Sequence, residues 1–175
     1  MRASNWRTQG TIWTDGSFFD NGRVGAACAW QISEGWTGRR FHLGSNKKVF
    51  DAEIFASYQV LSVFEPRRQS GRKYNVFSDS QAAIRRSMSD SLKPDQQWAR
   101  AIVEVAGRII VDSNEILVCW VPAHRGVKGN EVADGMANEA AVSASHSVPD
   151  QIRRQASLPH LARRASEHWS EATSR

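Results

Sequence analysis

Cysteine is scarce in this chain: two residues, Cys28 and Cys119, among 175. Both lie in apolar runs, GAACAW and ILVCWV, without the context of a disulfide framework or a zinc site, and both are expected to be buried small hydrophobes. Long apolar runs are missing as well. None approaches the roughly 18 residues that mark a membrane-spanning helix. The opening MRASNWRTQG has no apolar core of the signal-peptide kind. These absences exclude a disulfide scaffold and a helical membrane protein, and the expectation is a soluble, intracellular protein, with nucleus or cytoplasm left open. A strong charge of either sign is absent too. The net charge is +5, from 23 basic and 18 acidic residues, a modest excess that is compatible with a polyanionic partner without requiring one. At this length one domain is expected, burying roughly 70% of the surface its unfolded chain exposes, so no staple is needed to hold a core.

What is present is a change of period along the chain. TIWTD (residues 11–15) is β-branched and aromatic, and GSFFDNG is expected to break it with turn formers. VGAACAWQI (24–32) reads as a second strand with small residues suited to a close-packed centre. A turn at Gly35 leads to WTGRRFHLG, a third strand, so the first three form an antiparallel meander. From Asp51 to Phe64 the period becomes helical through Ile54, Tyr58 and Leu61, and Pro66 closes the segment. YNVFSD reads as a strand, and a short helix follows from Ser80 to about Met88, with Ala83, Ile84 and Met88 on one side. Pro94 or Asp95 suits the start of the next helix, which carries a stripe of Trp98, Ala101, Ile102, Val105 and Ile109. EILVCWV is apolar throughout and reads as a buried strand, and a last helix is expected from about Asn130 to Ala144. The order β-β-β-α-β-α-α-β-α predicts an α/β fold with a mixed sheet, an antiparallel meander plus parallel strands, flanked by helices. Residues 1–10 read as an N-terminal extension. The Ser-, Arg-, His- and Pro-rich segment 145–175 reads as a basic tail, partly helical or mobile. The seven tryptophans suggest base stacking, but Trp13, Trp30 and Trp120 in strands and Trp98 on an apolar stripe read as core.

Four acids stand at separate landmarks. Asp15 and Asp79 each end a β-type run, while Glu53 and Asp134 come early in helical patterns. In the expected topology the first strand is central and the strand ending at Asp79 is its parallel neighbour. Ligands of α/β sheets gather at the C-terminal ends of such strands. Four carboxylates brought to one point resist ionising together unless a cation offsets them, and an all-oxygen donor set suits Mg²⁺ or Mn²⁺ rather than zinc.

The set TDGS, the AE of VFDAEIFA, SDSQ and WVPAHRGVKGNEVAD resembles type 1 ribonuclease H from Thr11 to about Ala144. Each motif recurs by chance when alone; all four in this order are specific. The block WVPAHRGVKGNEVADGMANEAA is similar to the ribonuclease H domains fused to reverse transcriptases. VFDAEIFA and SLPHLARRASEHW resemble versions in the polyproteins of non-LTR retrotransposons. The resemblance implies a ribonuclease H fold with a five-stranded sheet. It implies hydrolysis of the RNA strand of RNA–DNA hybrids by two Mg²⁺ ions, with Mn²⁺ able to substitute, about 4 Å apart on either side of the scissile phosphate. Asp15, Glu53, Asp79 and Asp134 match the metal-binding carboxylates, with Asp15 the candidate to bridge both ions. His124 matches a loop histidine whose near-neutral titration suits proton transfer or product release. Partners implied are the hybrid itself, read through its 2′-hydroxyls, and a reverse transcriptase domain in the same polyprotein.

For substrate contact the resemblance points to Gly16 and Ser17 on the RNA and to Asn21 and Gln81 in the minor groove, although Asn21-Gly22 also reads as a plain turn and Gln81 as a first-turn helix residue. Two departures bear on grip. Only MSDSLKPD stands where cellular members often insert a basic helix-loop handle. Lys48 and Val49 replace the Thr and Asn that hold DNA backbone in relatives, which shifts phosphate contact to Lys47 and Lys48, and Arg125 in the AHRGVKG loop is a further candidate for substrate contact. The tail arginines Arg153, Arg154, Arg163 and Arg164 read as a solvated helix face or as a substitute grip. Three other readings stay open: a non-catalytic hybrid-binding module, a free-standing cellular ribonuclease H, and a DNA-cutting relative of the same superfamily.

Overall fold

A computed structural model describes residues 9–45, 47–64, 70–89, 97–111 and 113–143. The proposed N-terminal extension, apart from residues 9 and 10, the Pro94-Asp95 helix start and the basic tail lie outside the described residues. The elements are β1 (Gln9–Phe18), β2 (Val24–Ile32), β3 (Gly35–Gly44), α1 (Val49–Phe64), β4 (Lys73–Ser78), α2 (Gln81–Ser87), α3 (Gln97–Val111), β5 (Glu115–Trp120) and α4 (Lys128–Val142). The five strands form one sheet in the order β3-β2-β1-β4-β5. β1 pairs antiparallel with β2 and β2 with β3, while β4 runs parallel to both β1 and β5. The mixed α/β architecture expected from the sequence is the one found, with β1 central.

Local chemistry explains the connections. Between β1 and β2 the chain reverses through a turn closed by Phe19 N–H to Arg23 O and Gly22 N–H to Phe19 O, with Gly22 at φ +80°. The Asn21 side chain accepts from the Arg23 N–H at 3.1 Å, so a polar turn residue satisfies the backbone it bends. Lys48 leads into α1, where the Asp51 carboxylate accepts from the Lys48 N–H at 3.0 Å, satisfying an end donor of the helix. Ser80 caps α2 by accepting from Ala83 N–H.

Helices cover both faces of the sheet. On one face Ile12, Cys28, Tyr74 and Val76 pack against Ile54, Val60, Leu61 and Phe64 of α1 and Ile102, Val105 and Ile109 of α3. Opposite, Ala27 and Ala29 meet Ala133, Met136 and Ala137 of α4. The small residues of β2 have a definite purpose: a Cβ on Gly25 would fall 2.1 Å from the Ala137 carbonyl oxygen. At Gly129 the intruder would be the Trp13 ring, at 2.2 Å. α4 therefore lies directly on the strands, and only residues without bulk allow it.

Several local expectations are corrected. β1 does not stop at Asp15 but continues to Phe18, because Gly16, Ser17 and Phe18 still pair with Ala26, Gly25 and Val24. β5 is not a buried strand. It sits at the sheet edge, where Ile116 and Val118 pack against the core while Leu117 and Trp120 are 52% and 51% exposed; continuous apolarity there does not mean burial on both faces. Trp120 is accordingly no core residue, and Cys119 is half-buried, whereas Cys28 is fully buried as expected. On α2 only Ala83 is buried, and Met88 is exposed. On α3 the buried stripe is Ala99, Ile102, Val105 and Ile109, with Trp98 half-buried and packed edge-on to Phe55 at 4.7 Å.

Candidate active site

Asp15, Glu53 and Asp79 come together from three elements, with one carboxylate oxygen of each lying within 4.8 Å of the others. Asp15 faces Ala27 within β1. Asp79 follows the last residue of β4, the parallel neighbour of β1. Glu53 lies in the second turn of α1, and Gly16 is what brings it there. A Cβ on Gly16 would lie 2.8 Å from the Glu53 backbone nitrogen and 2.9 Å from the Ala52 Cβ, so helix and strand approach to near backbone contact. Asp15 and Glu53 are buried, at 5% and 7% exposure.

Burial is the first cause that pushes the Asp15 carboxyl up from its ordinary 3.8 to about 9, with the charges of Glu53, Asp79 and Asp134 adding to it and a hydrogen bond from the Gly16 backbone opposing it. Glu53 is pushed up from 4.5 to about 8, again by burial first and then by Asp79, while hydrogen bonds from Gly16 and Asp15 oppose the rise. Oε2 of Glu53 is buried and has no hydrogen-bond partner. A buried acceptor without a donor is costly unless something positive reaches it. Two crowded carboxyls that ionise reluctantly, an orphaned oxygen and an all-oxygen donor set fit a hard divalent cation.

Asp134 is not in that tight cluster, although its charge is felt by both Asp15 and Glu53. It sits half-buried in the second turn of α4, where its Oδ1 accepts from Asn138 Nδ2 at 3.0 Å. His124 is exposed on the loop between β5 and α4, with its backbone in the left-handed region at φ +49°. Arg125 and Lys48 are exposed as well. Gly16 lies against α1. The Ser17 hydroxyl is turned inward and donates to Asn138 Oδ1. Asn21 serves its turn, and Gln81 accepts from Arg85 on the surface of α2 at 3.0 Å. For Asn21 and Gln81 the plain structural readings are thus visible in the contacts they make.

Three supporting residues escaped the sequence reading. Asn130, almost fully buried, donates to Asp79 Oδ2 at 2.9 Å. The Trp120 indole N–H donates to the Asp79 carbonyl oxygen at 3.0 Å. Asn138 holds Asp134. Asn130 and Trp120 lay within the matched block, but a hydrogen bond across 51 residues leaves no local signature. The i, i+4 spacing of Asp134 and Asn138 is the one signal that sequence offered.

Fold and site together define the class: an α/β protein whose central strands deliver a carboxylate cluster suited to a divalent cation. The family model for RNase H matches residues 7–142, and the chain belongs to that family. It is a nuclease that cleaves RNA–DNA hybrids. Among solved structures, RNase H1 of the halophilic archaeon Halobacterium salinarum NRC-1 is similar at a TM-score of 0.57 and 20% identity, over 75% of this chain and 96% of that one. LC11-RNase H1, isolated from compost by a metagenomic approach, is similar at 0.58 and 18%, over 77% and 96%. The same enzyme in complex with an RNA/DNA hybrid gives 0.59 and 18%, over 75% and 95%. At these identities the likeness is one of fold.

Proposed function

We propose that this ribonuclease H is of type 1 and cuts the RNA strand by a two-metal mechanism. Asp15, Glu53, Asp79 and Asp134 would hold Mg²⁺, with Mn²⁺ able to substitute. The observation that carries this reading is the convergence of three carboxylates within 4.8 Å of one another, two of them buried. When bound, the ions supply activation of the attacking water and stabilisation of the leaving 3′ oxygen. The protein's part is to hold the carboxylates where their own repulsion would drive them apart. β1 and α1 do this through Gly16, and Asn130 and Trp120 fix Asp79. His124, exposed on the loop between β5 and α4 with Gly126 at φ +77°, would move a proton at the departing or attacking oxygen. Gly16 and Ser17 would meet the RNA, Asn21 and Gln81 the minor groove, and Lys48 and Arg125 backbone phosphates.

The domain would span residues 11–144, in the setting of a retrotransposon reverse transcriptase and its hybrid product. Support for that setting is the sequence block WVPAHRGVKGNEVADGMANEAA together with the lack of an inserted basic handle. A free-standing enzyme would be expected to grip a hybrid alone. The test is cleavage of an end-labelled hybrid with Mg²⁺ or Mn²⁺, with EDTA, and with Asp79→Asn. Undiminished cutting by Asp79→Asn, or activity in excess EDTA, would sink the reading. A non-catalytic binding module would show hybrid binding without cleavage.

A further inference from the structure

One polar side chain ties the fourth acid to the central strand. Asn138 lies one helical turn beyond Asp134 on α4 and is half-buried. Its amide nitrogen donates to Asp134 Oδ1 at 3.0 Å, and its amide oxygen accepts from the Ser17 hydroxyl at 2.5 Å. Ser17 is 7% exposed and two residues beyond Asp15 on β1, so it projects from the same face of the strand as that carboxylate. The chain Ser17–Asn138–Asp134 therefore runs from β1 to α4 beside the cluster.

The direction of these bonds is chemically determined. An amide nitrogen only donates, so the nitrogen that meets Asp134 Oδ1 gives it a hydrogen bond. That leaves the amide oxygen facing β1, where the Ser17 hydroxyl supplies the donor. One oxygen of Asp134 is engaged and the other is left for a cation. An aspartate on an α-helix otherwise has several rotamers. Here one is selected by a partner that is itself held from a different element.

We propose that Asn138 is a positioning residue that holds the Asp134 carboxylate toward the cation bound by Asp15, Glu53 and Asp79, and that Ser17 fixes Asn138 in turn. This rests on reading those carboxylates as cation ligands. Removing partners that orient metal-ligating groups typically weakens metal binding about 10- to 100-fold.

The experiment is calorimetric titration of the purified full chain with Mn²⁺ in the absence of nucleic acid, for the wild type, Asp134→Asn, Asn138→Ala, Ser17→Ala and Ser17→Thr. Asn138→Ala is expected to weaken Mn²⁺ binding about tenfold. Ser17→Ala should weaken it in the same direction, and Ser17→Thr, which keeps the hydroxyl, should restore it. The double variant Ser17→Ala/Asn138→Ala should bind no more weakly than Asn138→Ala, because the two act through one chain. In hybrid cleavage, kcat of Asn138→Ala should fall at limiting Mn²⁺ and recover at saturating Mn²⁺ with KM unchanged. Wild-type affinity in Asn138→Ala, alongside weakened binding in Asp134→Asn, overturns the role of Asn138 and leaves the cation site standing. Absence of Mn²⁺ binding by the wild type overturns both. Should Asn138→Ala not fold, the Ser17→Ala and Ser17→Thr pair decides, since equal affinities there overturn the proposal.

Discussion

Gly16 and Glu53 meet almost backbone to backbone: a Cβ on Gly16 would fall 2.8 Å from the Glu53 nitrogen. This contact sets the distance between β1 and α1, and so the distance between the Asp15 and Glu53 carboxylates. Gly16 also offers its backbone as a hydrogen-bond partner to both acids. The glycine of the TDGS motif thus has a structural duty separate from any touch on RNA.

Gly16→Ala should therefore destabilise the fold, by about 1–3 kcal/mol for an overpacked contact, and should lower cleavage further than that loss explains, since Glu53 is displaced. Gly135→Ala is the matched control. Nothing lies within 4 Å of a Cβ there, Gly135 is an exposed α4 residue, and alanine in a helix interior is favoured by about 0.8–1.0 kcal/mol. Urea unfolding of the two variants should show shifts of opposite sign.

Stability should depend on pH and on divalent ions together. Asp15 and Glu53 have folded pKa values of about 9 and about 8, above their ordinary 3.8 and 4.5. Between those limits the unfolded chain has lost these protons and the folded chain keeps them. The folded state binds more protons, so stability falls as pH rises from about 4 toward 9. In EDTA the melting temperature should drop from pH 5 to pH 9. Mg²⁺ replaces the protons as counter-charge, so its stabilisation should be larger at pH 9 than at pH 5, reaching about 2.7 kcal/mol where its concentration is a hundred times Kd. Melting curves with an equal Mg²⁺ effect at both pH values would contradict this account.

Asp79 is held at two atoms, by Asn130 on its carboxylate and Trp120 on its carbonyl. Asn130→Ala removes a hydrogen bond to a charged group and should cost about 1.5–3 kcal/mol, with a fall in kcat. Trp120→Phe removes a bond at a half-exposed ring and should cost about 0.5–1.5 kcal/mol. Chemical denaturation and steady-state kinetics on both variants check the order: Asn130→Ala should be the more damaging.

The sequence foretold the sheet and its connections because each element carries its own period, cap or turn residue. The strand Val24–Ile32 and the short helix that follows Ser80 were both visible in local pattern. The acids were legible because they stand in four motifs in a recognisable order, although Asp15 lies inside β1 rather than at its end. Exposure was less so: Leu117 and Trp120 look like core by composition, and only the strand order puts β5 at an edge. The holders of the acids were least visible. Asn130 to Asp79 and Ser17 to Asn138 are contacts between distant segments, which appear only after the chain has folded.

His124 offers the last test. Its ring stands exposed on the loop before α4, its backbone at φ +49° beside Gly126 at φ +77°. A left-handed conformation at a residue other than glycine, asparagine or aspartate is uncommon, and histidine is among those more often found there. If the imidazole moves a proton during cleavage, His124→Ala should reduce kcat by about 10²- to 10⁴-fold with little change in KM. Alanine at this positive φ should cost about 1 kcal/mol of stability, too little to account for a rate loss of that size. The pH dependence of kcat should also lose the limb that the imidazole contributes. Cleavage rates across pH 5–9 for wild type and variant decide it, and a variant with the wild-type rate and profile would remove His124 from the chemistry.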